Sequence, residues 1–125
     1  NTYASVISTG NNNTSNGRFQ IDYDGGGKLR VNVSGGVITA VLDNNIWNHF
    51  LITRSDNGTN DNMVCLYKNG GPSSTCRGPF PTLWDLLKVG QNRNNGSYWK
   101  GYIDELKIYN RTLTGTEVST LYESY

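Results

Sequence analysis

The residues equipped for chemistry are few, and their spacing limits what they can do. Asp104 and Glu105 are adjacent, so on a regular strand they project to opposite faces. They cannot face one another across a substrate, as the two carboxylates of a hydrolytic acid/base pair must. The single histidine, His49, lies in an apolar stretch that starts at Trp47, and no G-x-S-x-G turn offers it a nucleophile. No catalytic residues are expected, and the chain reads as a non-enzyme. Two cysteines and one distant histidine also fall short of a structural zinc site. The best oxygen-rich loop is 56–61, where Asp56, Asn60 and Asp61 could face a hard cation. Its spacing matches no EF-hand, and the plainer reading is an ordinary polar hairpin loop.

Cys65 and Cys76 carry more information. If Asn69, Gly70, Gly71 and Pro72 form a four-residue turn between Lys68 and Ser73, pairing outward sets Cys65 opposite Cys76. A cross-strand disulfide is then geometrically natural, the alternative being two reduced thiols that face each other. Six N-x-[ST] triplets begin at Asn12, Asn13, Asn32, Asn57, Asn95 and Asn110. Asn12, Asn13 and Asn57 lie in polar loops, where glycan attachment is easiest. Disulfide and sequons together point to an extracellular, secreted or cell-surface, location.

Composition narrows the partners. A net charge of +1 over 125 residues creates no field that would recruit nucleic acid. Mean hydropathy is −0.56 and no apolar run approaches a membrane-spanning length, so no membrane insertion is expected. The chain starts at Asn1 and is read as a mature or excised piece of a longer protein.

The elements that must position these residues are mostly short strands. A strand is expected over 3–9, followed by an exposed Asn-rich loop over 10–17. Phe19, Ile21 and Tyr23 alternate with polar residues, Gly25-Gly26-Gly27 turns the chain, and Leu29, Val31 and Val33 alternate again, which predicts a hairpin. A further strand runs from Gly35 through Leu42. The apolar run 47–54 reads as a central strand with Trp47 in the core. Pro79 and Pro81 bracket a loop, a short strand covers 86–89, and 98–109 is long enough to cross a whole sheet. Near the C-terminus Thr114 and Glu117 form a capping box, with Leu113 and Val118 placed as a hydrophobic staple. Val118, Leu121, Tyr122 and Tyr125 give that helix one apolar stripe. Roughly nine strands and one short helix argue for an all-β antiparallel sandwich spanning 1–125 as a single domain.

Gly101-Tyr-Ile-Asp-Glu-Leu-Lys-Ile-Tyr-Asn-Arg-Thr-Leu-Thr, followed by Glu117 and Leu121-Tyr122, resembles the closing signature of the concanavalin A-like, laminin G-like jelly-roll domains. Trp47-Asn48-His49, Leu66-Tyr67-Lys68-Asn69-Gly70 and Leu87-Lys88-Val89-Gly90 fit the same pattern in the same order. The resemblance implies the jelly-roll form of the sandwich. It implies a binding rather than a catalytic role, because relatives that hydrolyse glycans carry an E-x-D-x-E strand that is missing here. It also implies sugar contacts from rim loops. By composition those are the loop with Trp84 and Asp85 and the loop with Asn92, Arg93, Asn94 and Tyr98, aromatic faces stacking on sugar rings and polar groups bonding hydroxyls. Calcium at the rim, through Asp56, Asn60 and Asp61, is a second implication.

Aligned in this way, 3–9 corresponds to a strand that normally follows an earlier one, so the usual N-terminal strand is expected to be absent and a sheet edge open. Three functional classes follow: a non-catalytic carbohydrate-binding (lectin-like) or cell-adhesion module for glycans or extracellular glycoproteins; a structural subunit of a glycoprotein assembly that accepts a strand from a neighbouring chain or domain; and an accessory domain of a polysaccharide-degrading enzyme.

Overall fold

The computed structural model describes residues 3–9, 19–33, 36–55, 63–71, 76–78, 87–92, 94 and 96–125. Among these residues there are eight strands and one helix: β1 Ala4–Thr9, β2 Phe19–Tyr23, β3 Lys28–Val33, β4 Gly36–Val41, β5 Phe50–Ser55, β6 Met63–Lys68, β7 Cys76–Arg77, β8 Leu87–Val89 and α1 Gly115–Glu123. Five strands form one antiparallel sheet in the order β4-β3-β2-β1-β8, and three form a second in the order β5-β6-β7.

Period-two alternation decides which side chains meet. On β2 and β3 the register pairs Phe19 with Val33, Ile21 with Val31 and Tyr23 with Leu29, so one face of the hairpin is apolar throughout. Val64 and Leu66 of β6 close the core from the second sheet. Burying each such side chain contributes roughly 1.5–3 kcal/mol. The result is the all-β sandwich with a short C-terminal helix that the alternation predicts. The β2–β3 turn is built on Asp24, whose Oδ1 accepts from the Gly26 and Lys28 amides at 2.7 and 3.0 Å. Those two backbone bonds hold the Asp24 carboxyl below the usual carboxylate range.

Cys65 and Cys76 are direct cross-strand partners and are disulfide-bonded, their Cα atoms 4.2 Å apart. Counting outward from the expected turn gives this same pair. The helix also follows its local chemistry. The Thr114 side chain accepts from the Glu117 amide, and the Glu117 carboxylate accepts from the Thr114 amide at 2.8 Å. Leu113 and Val118 are both buried, as a staple requires.

The family-like motifs prove to be mutually dependent. The His49 amide donates to Asn69 Oδ1 at 2.9 Å and the Asn69 amide donates to the His49 carbonyl at 2.9 Å. Gly70 has φ +68°, and a Cβ there would lie 2.7 Å from Tyr122 Cδ1, so only glycine fits. Tyr122 in turn lies against the His49 ring at 5.6 Å, and Ser119 Oγ donates to the Gly70 carbonyl at 3.0 Å. W-x-H, L-Y-x-N-G and the terminal L-Y together form a latch that docks α1 on the end of the second sheet.

Three expectations are corrected. Residues 98–109 do not form a long strand. Tyr98 makes one isolated parallel bridge with Ser5. Beyond it, Glu105 takes φ +52° and donates its amide to Asp104 Oδ1 at 2.8 Å, which breaks the extended geometry a ladder needs. The 47–54 run is not central, since among the described residues β5 lies at the edge of the second sheet. Trp47 is not a core residue but 67% exposed. It precedes β5 in a turn that the Asn48 side chain holds together, accepting from the Asp43 amide and donating to the Asp43 and Ile46 carbonyls.

Candidate binding site

The same alternation that buries Ile21 and Val31 sends Gln20, Asp22, Arg30 and Asn32 to the opposite face of the five-stranded sheet. The outer face of a sandwich normally meets solvent, and polar side chains there need no partners. This one is covered. Asp22 is 2% exposed, and Gln20, Asn32, Ser5 and Ser8 are buried with it.

Buried polar groups must be bonded, and these are. Gln20 Nε2 donates to Asp22 Oδ1 at 2.6 Å and Asn32 Nδ2 donates to Asp22 Oδ2 at 3.2 Å. Arg30 donates through one terminal nitrogen to Asn32 Oδ1 at 3.3 Å, and its guanidinium carbon sits 4.7 Å from the centre of the Tyr3 ring. Both Asp22 oxygens are therefore fixed by side-chain amides.

The cover comes from the segment after β8, which folds back beside β1. Gly90 donates to the Val6 carbonyl and Ser5 donates to the Ser97 carbonyl, both at 2.7 Å. Ser8 Oγ donates to the Gln91 carbonyl at 3.0 Å. Asn92 organises the loop: its Oδ1 accepts from the amides of Asn94 and Gly96 at 3.0 and 2.9 Å, and its Nδ2 donates to Ser97 Oγ at 3.1 Å. Between sheet and loop lies a cleft of about 320 Å³ lined by Tyr3, Gln20, Asp22, Arg30, Asn92, Asn94 and Ser97. A space of that size suits one or two sugar rings, and its lining offers fixed donors, fixed acceptors and one aromatic side chain.

A sequence profile of the laminin G-type domains, in the concanavalin A-like lectin/glucanases superfamily, matches residues 1–119. The chain belongs to this family. Searches of curated proteins and of solved structures returned no match.

In this laminin G-type chain the structure gathers only part of the expected ligand set. Asn92 and Asn94 line the cleft. Tyr98 does not, being exposed beside the loop and bridged to Ser5. Trp84, Asp85 and Arg93 lie outside the described residues, as do Asp56, Asn60 and Asp61 of the oxygen-rich loop. Among the described residues no group of three or more His, Cys, Asp or Glu side chains converges as metal ligands would. Of the sequon asparagines, Asn12, Asn13, Asn57 and Asn95 are outside the described residues and Asn110 is exposed. Asn32 is buried and its amide nitrogen is already spent on Asp22.

Tyr3, Gln20, Asp22, Arg30 and Ser97 escaped the reading of the sequence. A signal for three of the cleft's polar side chains, and for Asn32 bonded to them, was present: Gln20 and Asp22 on one arm of the hairpin and Arg30 and Asn32 on the other all fall between the apolar positions. Four hydrogen-bonding residues on one sheet face, in alternation with apolar positions on both arms of the hairpin, mark a polar network.

Proposed function

We propose that this chain is a non-catalytic extracellular carbohydrate-binding or adhesion module whose ligand, a glycan, occupies the cleft between the five-stranded sheet and the 90–99 loop. The observation that carries this is the buried network around Asp22. Ordering amide and carboxylate side chains under a loop costs conformational freedom and desolvation, and the outcome is a rigid array of donors and acceptors of the kind that reads hydroxyl groups. Family membership supports a binding module, and the disulfide supports an oxidising compartment.

Titration calorimetry against hits from a glycan array tests the proposal. Asn94 lines the cleft and is exposed, so Asn94→Ala should weaken glycan binding at least tenfold, about 1.4 kcal/mol, without changing the melting temperature. Undiminished binding by this variant, or no glycan bound by the wild type, would overturn it.

A second reading, assembly by strand addition, is favoured by a separate observation. Among the described residues β5 has a partner on one edge only, and residues 102–109 are rich in strand-forming residues yet pair with nothing in a ladder. Each copy therefore carries an acceptor edge and a donor segment, and exchange between two copies is a low-cost route to a dimer. Light scattering should then show a concentration-dependent increase in mass. A strict monomer at millimolar concentration would sink this reading.

A further inference from the structure

The charge arrangement inside the cleft is unusual for a sheet surface. Asp22 and Arg30 are directly opposite one another on neighbouring antiparallel strands, a placement where an ion pair normally forms. None does. The three ion pairs among the described residues join Lys68 to Asp43, Lys107 to Glu105 and Arg111 to Glu117. Gln20 and Asn32 take the Asp22 oxygens instead, and Arg30 is drawn aside by Asn32 Oδ1 and the Tyr3 ring.

A guanidinium has five N–H donors in a planar fork. Of these, Arg30 commits one terminal nitrogen to Asn32, and among the described residues no other acceptor meets it. The side chain is half-buried and held on two sides, so little rotamer freedom remains to be lost on binding. A positioned guanidinium with unused donors facing a cleft is suited to an oxyanion that presents two oxygens, which it can engage through two parallel bonds.

We propose that the cleft selects acidic glycans, with an oxyanion of the sugar, carboxylate or sulfate, paired to Arg30 while the Asn94 side chain bonds a ring hydroxyl. This rests on the glycan-binding reading above and narrows it. The described cleft lining carries one carboxylate and one guanidinium, so it exerts no general attraction for anions. Discrimination comes from where the guanidinium is placed. Neutral sugars of the same shape leave Arg30 desolvated and unpaired, and are disfavoured for that reason.

The test compares three probes on the intact disulfide-bonded protein by titration calorimetry: a galacturonic acid trisaccharide, its fully methyl-esterified form, and a neutral-backbone trisaccharide carrying sulfate esters. The acid should bind at least tenfold more tightly than its ester. Arg30→Met should erase that difference, and Arg30→Lys should restore only part of it, since a point charge cannot make the forked contact. Preference for the free acid over the sulfated probe identifies the oxyanion as carboxylate, and the reverse preference identifies it as sulfate. Equal binding of acid and ester, with no preference for the sulfated probe, overturns selectivity for acidic glycans while leaving glycan binding in place. Failure of all three probes together with every glycan on an array removes the binding reading itself. The comparison of acid with ester needs only wild-type protein, so the proposal stays falsifiable if an Arg30 variant folds poorly.

Discussion

Glu117 shows how much one side chain can be asked to do. Its two oxygens accept from Arg111 at 2.9 and 2.7 Å, and one of them also caps the helix through the Thr114 amide. The Arg111 contact first, and the Thr114 amide second, lower its pKa from 4.5 to about 2. A carboxyl whose folded pKa is depressed stabilises the fold above its unfolded value and loses that contribution as pH falls through the folded one. The loss should therefore run from about pH 4.5 down to about pH 2. The group is exposed, so solvent screening keeps the effect small. The melting temperature of the wild type should drop further between pH 5 and pH 3 than that of Glu117→Gln, and equal drops would refute the assignment. His49 runs in the other pH range. Burial, and then the nearby Lys107 charge, hold its pKa below 6.5. The unfolded chain accordingly takes up a proton that the folded one resists, and stability falls as pH drops below about 6.5. An NMR titration of the His49 ring should give a midpoint under 6.5, and a midpoint above it would contradict the packing against Tyr122 and Tyr125.

At the level of elements, what the sequence made legible is whatever local chemistry decides. The capping box, the staple, the glycine hairpin and the disulfide register each follow from residues within a dozen positions of one another, and each is present. The latch was legible only as a set of motifs, because its contacts cross the chain: Asn69 reaches back to His49, and Gly70 makes room for Tyr122. Gly70→Ala should undock α1, since a Cβ would meet Tyr122 at 2.7 Å on a backbone at φ +68°. Overpacking of this kind costs about 1–3 kcal/mol. Denaturant titration of Gly70→Ala alone and with Tyr122→Ala separates the causes. The second change should recover the part of the clash due to the Tyr122 ring and leave the contact with Cβ, 2.8 Å away, and the backbone strain, and simple additivity would show that the two residues do not interact. The disulfide closes a loop with a sequence separation of 11, for which chain entropy gives about 2–3 kcal/mol. Cys65→Ala/Cys76→Ala should lose that amount in the same titration, with the sheets intact.

For the whole molecule, the sandwich was readable because period two needs no knowledge of which strands are neighbours. The cleft was not, because it depends on that knowledge twice. Asp22 meets Asn32 only through the hairpin register, and the loop reaches Ser8 across a sequence separation of 83. The 98–109 segment failed for a further reason, since strand propensity counts for little when the backbone at Glu105 turns left-handed. The same segment sets a sharp test of the architecture. Tyr102 is 88% exposed and Ile108 is 74% exposed, an unusual state for residues that favour buried strands. If these side chains contact nothing within their own chain, Tyr102→Lys and Ile108→Lys should each change stability by no more than about 0.5 kcal/mol and should raise solubility. Amides of 102–109 should also exchange quickly at low protein concentration and become protected as concentration rises, if a second copy supplies the pairing. A loss of several kcal/mol from either lysine, with slow exchange at every concentration, would place the segment in a sheet of its own chain and remove both donor and acceptor from the strand-exchange reading.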